Sequence, residues 1–341
     1  MRVIVDAMGG DNAPAEIVKG ALAAHGKKNV EIVLVGREEA IRSAAAEQGG
    51  VPDSVRVVNA AEVIEICDDP ATAFKQKKDS SITVGLTMLK NGEGDAFVSA
   101  GSTGALLSAA TLMVKRVRGI RRAALCPVIP TAAGQAVLID CGANAECTVE
   151  YLVQFAYLGS FYAKRMLQVK SPRVGLLNIG AEPSKGDDLR RETYQALTAA
   201  AEGGELNFVG NIEAKEALKG GCDVIVADGF SGNIMLKTIE GAASFLGGEM
   251  KKMFLQSTKT KVAGLLMKDA LRQFKELLNP DRIGGTAFLG ISRPVIKAHG
   301  SSGAAAIENA VYQAAAVAES GIIADIEANI DSMRLSSHRE G

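Results

Sequence analysis

Short apolar runs alternate with longer stretches of helical periodicity along nearly the whole chain, and that rhythm leaves few folds open. The strand-length runs are Val3–Asp6, Glu31–Val35, Val55–Asn59, Ala96–Ser99, Ala123–Ile129, Ala136–Cys141, Val174–Ile179, Asn207–Val209 and Val224–Asp228. Helical patterning covers Ala15–His25, Glu38–Gln48, Ser81–Asn91, Ala105–Val114, Val149–Leu167, Asp187–Glu202, Asn233–Met253, Val262–Leu278 and Ala304–Asp331. Several strand runs are apolar on both faces, as parallel strands covered by helices are. The alternation predicts an α/β fold: a mainly parallel central sheet with helices on both faces. The 341 residues read as one α/β domain over 1–335, two subdomains sharing a sheet. A helical protrusion is expected within it over 244–280, and a flexible tail over 336–341.

In such sheets ligands bind where the chain leaves the C-terminal ends of strands. The exits here are unusually alike. Asp6-Ala-Met-Gly-Gly-Asp11 follows the first strand, so Asp6, Gly9 and Gly10 are candidate site residues. Gly101-Ser-Thr-Gly104, Asp140-Cys-Gly-Ala-Asn144, Asn178 to Gly186 and Asp228-Gly-Phe-Ser-Gly-Asn233 follow later strands, and Lys297-Ala-His-Gly-Ser-Ser302 comes late in the chain. One glycine-rich exit is merely a turn; six suggest a shared crevice. Gly101, Ser102, Thr103 and Gly104 lie between a strand and a strong helix. That turn leaves the first helical N–H groups unpaired at the positive end of the helix dipole, which suits an anion. An ordinary N-cap by Ser102 or Thr103 is the competing reading.

Composition removes several function classes. Hydrophobic residues make up 47% and charged residues 23%, as in a soluble globular protein. A net charge of −1 gives no global pull toward nucleic acid, and the lack of tryptophan argues against a base-stacking surface. The five cysteines show no CxxC spacing and the three histidines are far apart, so no metal site is expected. Scattered cysteines fit a reducing cytoplasm. The opening residues read as a strand rather than a signal peptide, and no apolar run reaches the ~18 residues of a membrane span. Neither a Gly-x-Gly-x-x-Gly at the first strand exit, nor a P-loop, nor a Gly-x-Ser-x-Gly elbow occurs.

Two basic regions remain. Lys115, Arg116, Arg118, Arg121 and Arg122 lie just past the helix that follows Gly104. They suit either a solvated helix end or an acidic partner. From Glu249 to Glu276, seven basic residues face three acidic ones. Met267, Leu271, Phe274 and Leu278 form one apolar stripe there, widened by Val262, Leu265 and Leu266 and flanked by Lys268. This is either a core-facing or dimer-facing helix or one that lies on an anionic bilayer.

Taken together, the strand-exit motifs, with Lys77-Lys78 before Ser80-Ser81 and Gly175-Leu-Leu-Asn-Ile-Gly180, resemble the acyl-ACP:phosphate acyltransferase (PlsX) family over nearly the whole chain. Ser102 stands where Asn is common and Cys141 where Val is common. The resemblance implies a fold like isopropylmalate dehydrogenase and phosphotransacetylase. It implies transfer of a fatty acyl group from acyl-[acyl carrier protein] to inorganic phosphate, giving acyl phosphate for phospholipid synthesis. It also implies a cytoplasmic homodimer, without cofactor, that visits the membrane surface. Its partners would be acyl carrier protein, an anionic membrane surface and the membrane glycerol-3-phosphate acyltransferase, with no nucleic acid.

That chemistry accounts for the absence of a nucleophile–base pair. Phosphate is already partly dianionic near neutral pH, since its second ionisation lies near ~6–7. The difficulty is electrostatic, because an anion must approach a carbonyl whose oxygen becomes negative. The Gly101–Gly104 backbone is assigned to phosphate and Lys185 to a second cation holding phosphate or the oxyanion. His299 is the candidate proton donor to the departing thiolate. Asp228 or Asp140 would orient His299 or Lys185, and Asn144 and Asn233 are candidate neutral donors. Two other readings compete: a metal- and NAD-dependent dehydrogenase of the isopropylmalate type, and a non-catalytic membrane-docking scaffold.

Overall fold

A computed structural model describes residues 1–277 and 284–335. Its strands are β1 (Arg2–Asp6), β2 (Glu31–Gly36), β3 (Arg56–Asn59), β4 (Ala96–Ser99), β5 (Ala124–Cys126), β6 (Val128–Thr131), β7 (Gly134–Ile139), β8 (Arg173–Leu177), β9 (Asn207–Ile212), β10 (Val224–Val226), β11 (Thr286–Leu289) and β12 (Val295–Lys297). They form a seven-stranded sheet in the order β3-β2-β1-β4-β12-β11-β5 and a five-stranded sheet in the order β6-β7-β10-β8-β9. The α/β class with mostly parallel strands is therefore as the alternation predicts. Only β11 in the first sheet and β6 in the second run antiparallel to their neighbours.

The single shared sheet is replaced by two. The run expected as one strand, Ala123–Ile129, changes partners in its middle. Leu125 pairs with Phe288 of β11, while Val128 pairs with Val137 of β7. Pro127 lies at the change, where it has no N–H to give to a ladder. The segment thus stitches the two sheets together. β11 and β12, four and three residues long, escaped the sequence reading.

Helices cover both faces. Helix Val149–Met166 buries Phe155, Tyr157 and Tyr162 in a core that includes Val137, Val174 and Val224 from the second sheet. Helix Ala15–Ala24 lies against Ala304–Glu319, where Gly20 meets Ile307 too closely for any side chain. The expected Ala304–Asp331 helix ends at Glu319 and restarts at Ile322, because Gly321 adopts a left-handed conformation.

One helix departs from the core. Gly229–Leu255 buries Gly229, Gly232 and Met235 near its start, and its distal half is exposed. The expected Val262–Leu278 helix is two helices, Thr258–Leu266 and Lys268–Leu277. A reciprocal cap between Ser257 and Thr260 starts the first of these. Leu278, residues 278–280 of the expected protrusion and the expected tail 336–341 lie outside the described residues.

Candidate active site

The six strand exits fall into two groups of three, one on each sheet. On the first sheet, the loops after β1, β4 and β12 interlock. The Asp6 carboxylate is fully buried and accepts hydrogen bonds from the amides of Met8 and Gly9, both at 3.1 Å, and from Ser99 Oγ at 2.6 Å. Burial pushes its pKa up, and the hydroxyls of Ser81 and Ser99 with these amides oppose the rise. A Cβ on Gly9 would lie 2.4 Å from Asp6 Oδ2 and 2.7 Å from the Gly101 nitrogen, so this contact between loops requires glycine. A Cβ on Gly10 would lie 2.9 Å from Ala100 Cβ and 3.0 Å from Gly300 O. Asp11 N donates to Gly300 O (2.8 Å) and Ala298 N to Ser99 O (2.9 Å), which joins the third loop to the others.

The turn from β4 into helix Thr103–Ala109 carries the cap that its sequence suggested and leaves part of its backbone open. Ser102 Oγ accepts from Ala105 N at 3.5 Å, a long N-cap contact. The Gly101 amide is taken by Ser99 Oγ at 3.0 Å. The amides of Ser102, Thr103 and Gly104 have no acceptor among the described residues. Beneath the turn lies Lys297, 8% exposed, whose ammonium donates to Ala100 O at 3.1 Å and also to Ala298 O. Burial lowers its pKa to about 8, opposed by the charges of Asp6 and Asp11 and aided by that of Lys237.

On the second sheet, the loops after β7, β8 and β10 form the other group. Asp140 gathers the amides of Leu125, Cys141 and Asn144 at 2.6–2.8 Å. Burial raises its pKa too, against those hydrogen bonds. Both N–H groups of the Asn144 side chain are taken, by Ala123 O at 2.9 Å and Asp140 Oδ2 at 3.0 Å. Asn144 therefore builds the loop and offers no side-chain N–H to a substrate. A Cβ on Gly232 would fall 2.0 Å from Asp140 O, so glycine seats the start of helix Gly229–Leu255 on the β7 exit. Asp228 caps that helix through Ser231 N (2.9 Å) and forms an ion pair with Arg190. Its carboxylate is thus turned to Arg190 and Ser231, not to His299 or Lys185.

Two features bring the groups together. The Asp140 loop is hydrogen-bonded to Ala123 and Leu125, at the edge of the first sheet. Lys237, on helix Gly229–Leu255, is close enough for its charge to act on both Lys297 and the Cys141 thiol.

A family model described as "Fatty acid synthesis protein" matches residues 1–325. The "Phosphate acyltransferase" of Thermoanaerobacter pseudethanolicus is 43% identical over 98% of both chains. That of Exiguobacterium sibiricum is 44% identical over 96% of this chain and 97% of its own. The chain belongs to the phosphate acyltransferase family. It is an enzyme of the acyltransferase class. Among solved structures, a phosphotransacetylase from Streptococcus pyogenes matches with a TM-score of 0.64 at 18% identity, covering 93% of this chain and 94% of that one. A branched-chain phosphotransacylase from Enterococcus faecalis matches at 0.56 and 14% identity, over 93% and 99%. At such identities these two show the fold alone.

Within this acyltransferase, Lys185 is exposed on the β8 exit, and its ammonium has no partner among the described residues. The loop beneath is fixed by Asn178 Nδ2 donating to Lys185 O at 3.1 Å. His299 is exposed beside the first group, its Nδ1 2.9 Å from Ser301 Oγ. Asn233 is exposed against Gly142, with no hydrogen-bond partner for its side chain among the described residues. Val262, Leu265 and Leu266 are exposed, Leu266 by 83%, as is Lys268. Sequence reasoning passed over Arg190, Lys237 and Lys297. The signal for Lys297 was available: a lysine ending an apolar strand, two residues before His299. The signal for Arg190 was not, since its partner Asp228 lies far away in sequence.

No described helix is long and apolar enough to cross a membrane. Among the described residues, no group of three or more His, Cys, Asp or Glu side chains is arranged to hold a metal ion.

Proposed function

We propose that this enzyme transfers a fatty acyl group from acyl-[acyl carrier protein] to inorganic phosphate, reversibly, giving acyl phosphate for phospholipid synthesis. The observation that carries this reading is the row of open amides at Ser102, Thr103 and Gly104 in a crevice otherwise closed by interlocked loops. Such amides, fixed in advance, bind an anion without reorganising. Phosphate rests on them and attacks the thioester carbon directly. A C–O bond forms as the C–S bond breaks, and the electron pair leaves on the sulfur of the carrier's arm. Lys185 steadies the phosphate or the developing oxyanion, helped by the Asn233 amide. His299 gives a proton to the departing thiolate. Asp228 acts through Arg190, holding the second loop group in place. Asp6, Gly9 and Gly10 shape the floor beneath the phosphate. The reaction needs no cofactor and no metal.

The same reading extends to the surroundings. The enzyme works in the cytoplasm as a homodimer and visits membranes peripherally. Support comes from the projecting helices, where exposed Val262, Leu265 and Leu266 sit among Lys259, Lys261 and Lys268. An anionic membrane surface suits that mixture. Acyl carrier protein is the donor, and the membrane glycerol-3-phosphate acyltransferase receives the product. The decisive experiment incubates pure protein with acyl-ACP, with and without phosphate. Acyl phosphate appearing only with phosphate supports the reading; carrier release independent of phosphate, or none at all, refutes it.

A further inference from the structure

Lys297 has no place in the reaction just described, yet its setting is expensive to maintain. An ammonium buried to this degree needs compensation for lost water. No carboxylate bonds to it directly. The carboxylate whose charge acts on it most, Asp6, has its oxygens engaged by the amides of Met8 and Gly9 and the hydroxyl of Ser99. Lys297 donates instead to two backbone carbonyls, Ala100 O and Ala298 O. An ammonium has three N–H groups, so one has no acceptor among the described residues. The first bond has a consequence for the neighbouring turn. It holds the Ala100 carbonyl on the Lys297 side, immediately before the residues whose amides stand open.

We propose that Lys297 is a phosphate-binding residue, which anchors the Ala100 carbonyl from beneath and gives its remaining N–H to an oxygen of the bound anion. This rests on the reading of the Gly101–Gly104 turn as the phosphate cradle. It adds a full positive charge to what would otherwise be dipoles alone. The anion in turn completes the coordination of a cation that the protein leaves one acceptor short. The charged groups acting on Lys297 are Asp6 and Asp11, which favour its protonated form, and Lys237, which opposes it. With the pKa brought down to about 8 by burial, the cation is present at neutral pH and is lost as pH rises through that value.

The test has two arms. In the first, wild-type protein binds inorganic phosphate in a calorimeter at about pH 7 and about pH 9, where phosphate is largely dianionic at the upper value. Affinity should fall severalfold at the higher pH; an unchanged or tighter affinity overturns the proposal. In the second, Lys297→Met and Lys297→Arg are assayed with acyl-ACP. Lys297→Met should raise KM for phosphate at least about tenfold, the scale of a hydrogen bond to a charged group, with KM for acyl-ACP little changed. Its phosphate KM should also lose the rise between about pH 7 and 9. Lys297→Arg, which keeps the charge, should recover part of the phosphate KM. Equal losses for both substrates, or a phosphate KM like that of wild type, would sink the proposal. Should Lys297→Met not fold, the wild-type binding arm still decides. Wild-type protein that binds phosphate with the expected pH dependence but makes no acyl phosphate would refute the proposed function while leaving the Lys297 site standing.

Discussion

The two groups of loops each hold a buried aspartate with neutral donors, Asp6 in one and Asp140 in the other, and differ in the charged groups set beside it. On the first sheet, Ser81, Ser99 and backbone amides donate to Asp6, and two backbone carbonyls accept from Lys297. On the second, an ion pair stands beside the buried Asp140, with Asp228 against Arg190. Neutral partners hold a charged group in place without pairing off its charge, so Lys297 stays a cation beside the open turn. A guanidinium–carboxylate pair cancels its own field and leaves rigidity. The difference fits the proposed division of labour, in which one group of loops takes the anion and the other holds side chains in position beside it.

The sharpest way to break that contrast is Asp228→Ala. It removes the cap of helix Gly229–Leu255 and one of the two carboxylates paired with Arg190, leaving Asp187 as the other, and should cost about 3 kcal/mol of stability in urea unfolding. A loss under about 1 kcal/mol would mean that the pair does not hold the second group together. Lys185→Ala comes next. The side chain is exposed and unpaired, so circular dichroism should be unchanged while kcat/KM falls on the order of 100-fold. Phosphate dependence identical to wild type would take Lys185 out of the mechanism. His299→Ala should lower the rate about tenfold and flatten its variation between about pH 6 and 9; a profile superimposable on wild type removes the proton-donor role. Ser102→Ala removes only a long cap contact and should cost at most ~1 kcal/mol of stability, measured by thermal unfolding. Smallest of all in stability is Leu266→Asp, within ~0.5 kcal/mol. It should nonetheless weaken sedimentation with anionic vesicles, and retention of full vesicle binding would end the membrane role of that tip.

Much of the fold was open to reading from residues alone, because periodicity and two-faced apolarity are local. β4 was bounded to the residue, and the Ser102 turn was seen as both a cap and a possible anion site. What escaped was short or remote. β11 and β12 are only four and three residues long, and the change of partner at Pro127 depends on which strand lies beside it. The helix start at Thr258 was missed because the Ser257–Thr260 cap uses Thr where Glu or Gln usually signals it.

By itself the sequence determined the α/β class, the family and the identity of the glycine-rich exits, since each is written in contiguous residues. Only the tertiary structure decided that those exits divide into two groups on two sheets. It alone turned Asp228 to Arg190, closed off the Asn144 amide and buried Lys297 under the β4 turn. The physical reason is that a charged group's state depends on its desolvation and on the partners folding brings to it, and neither follows from sequence order.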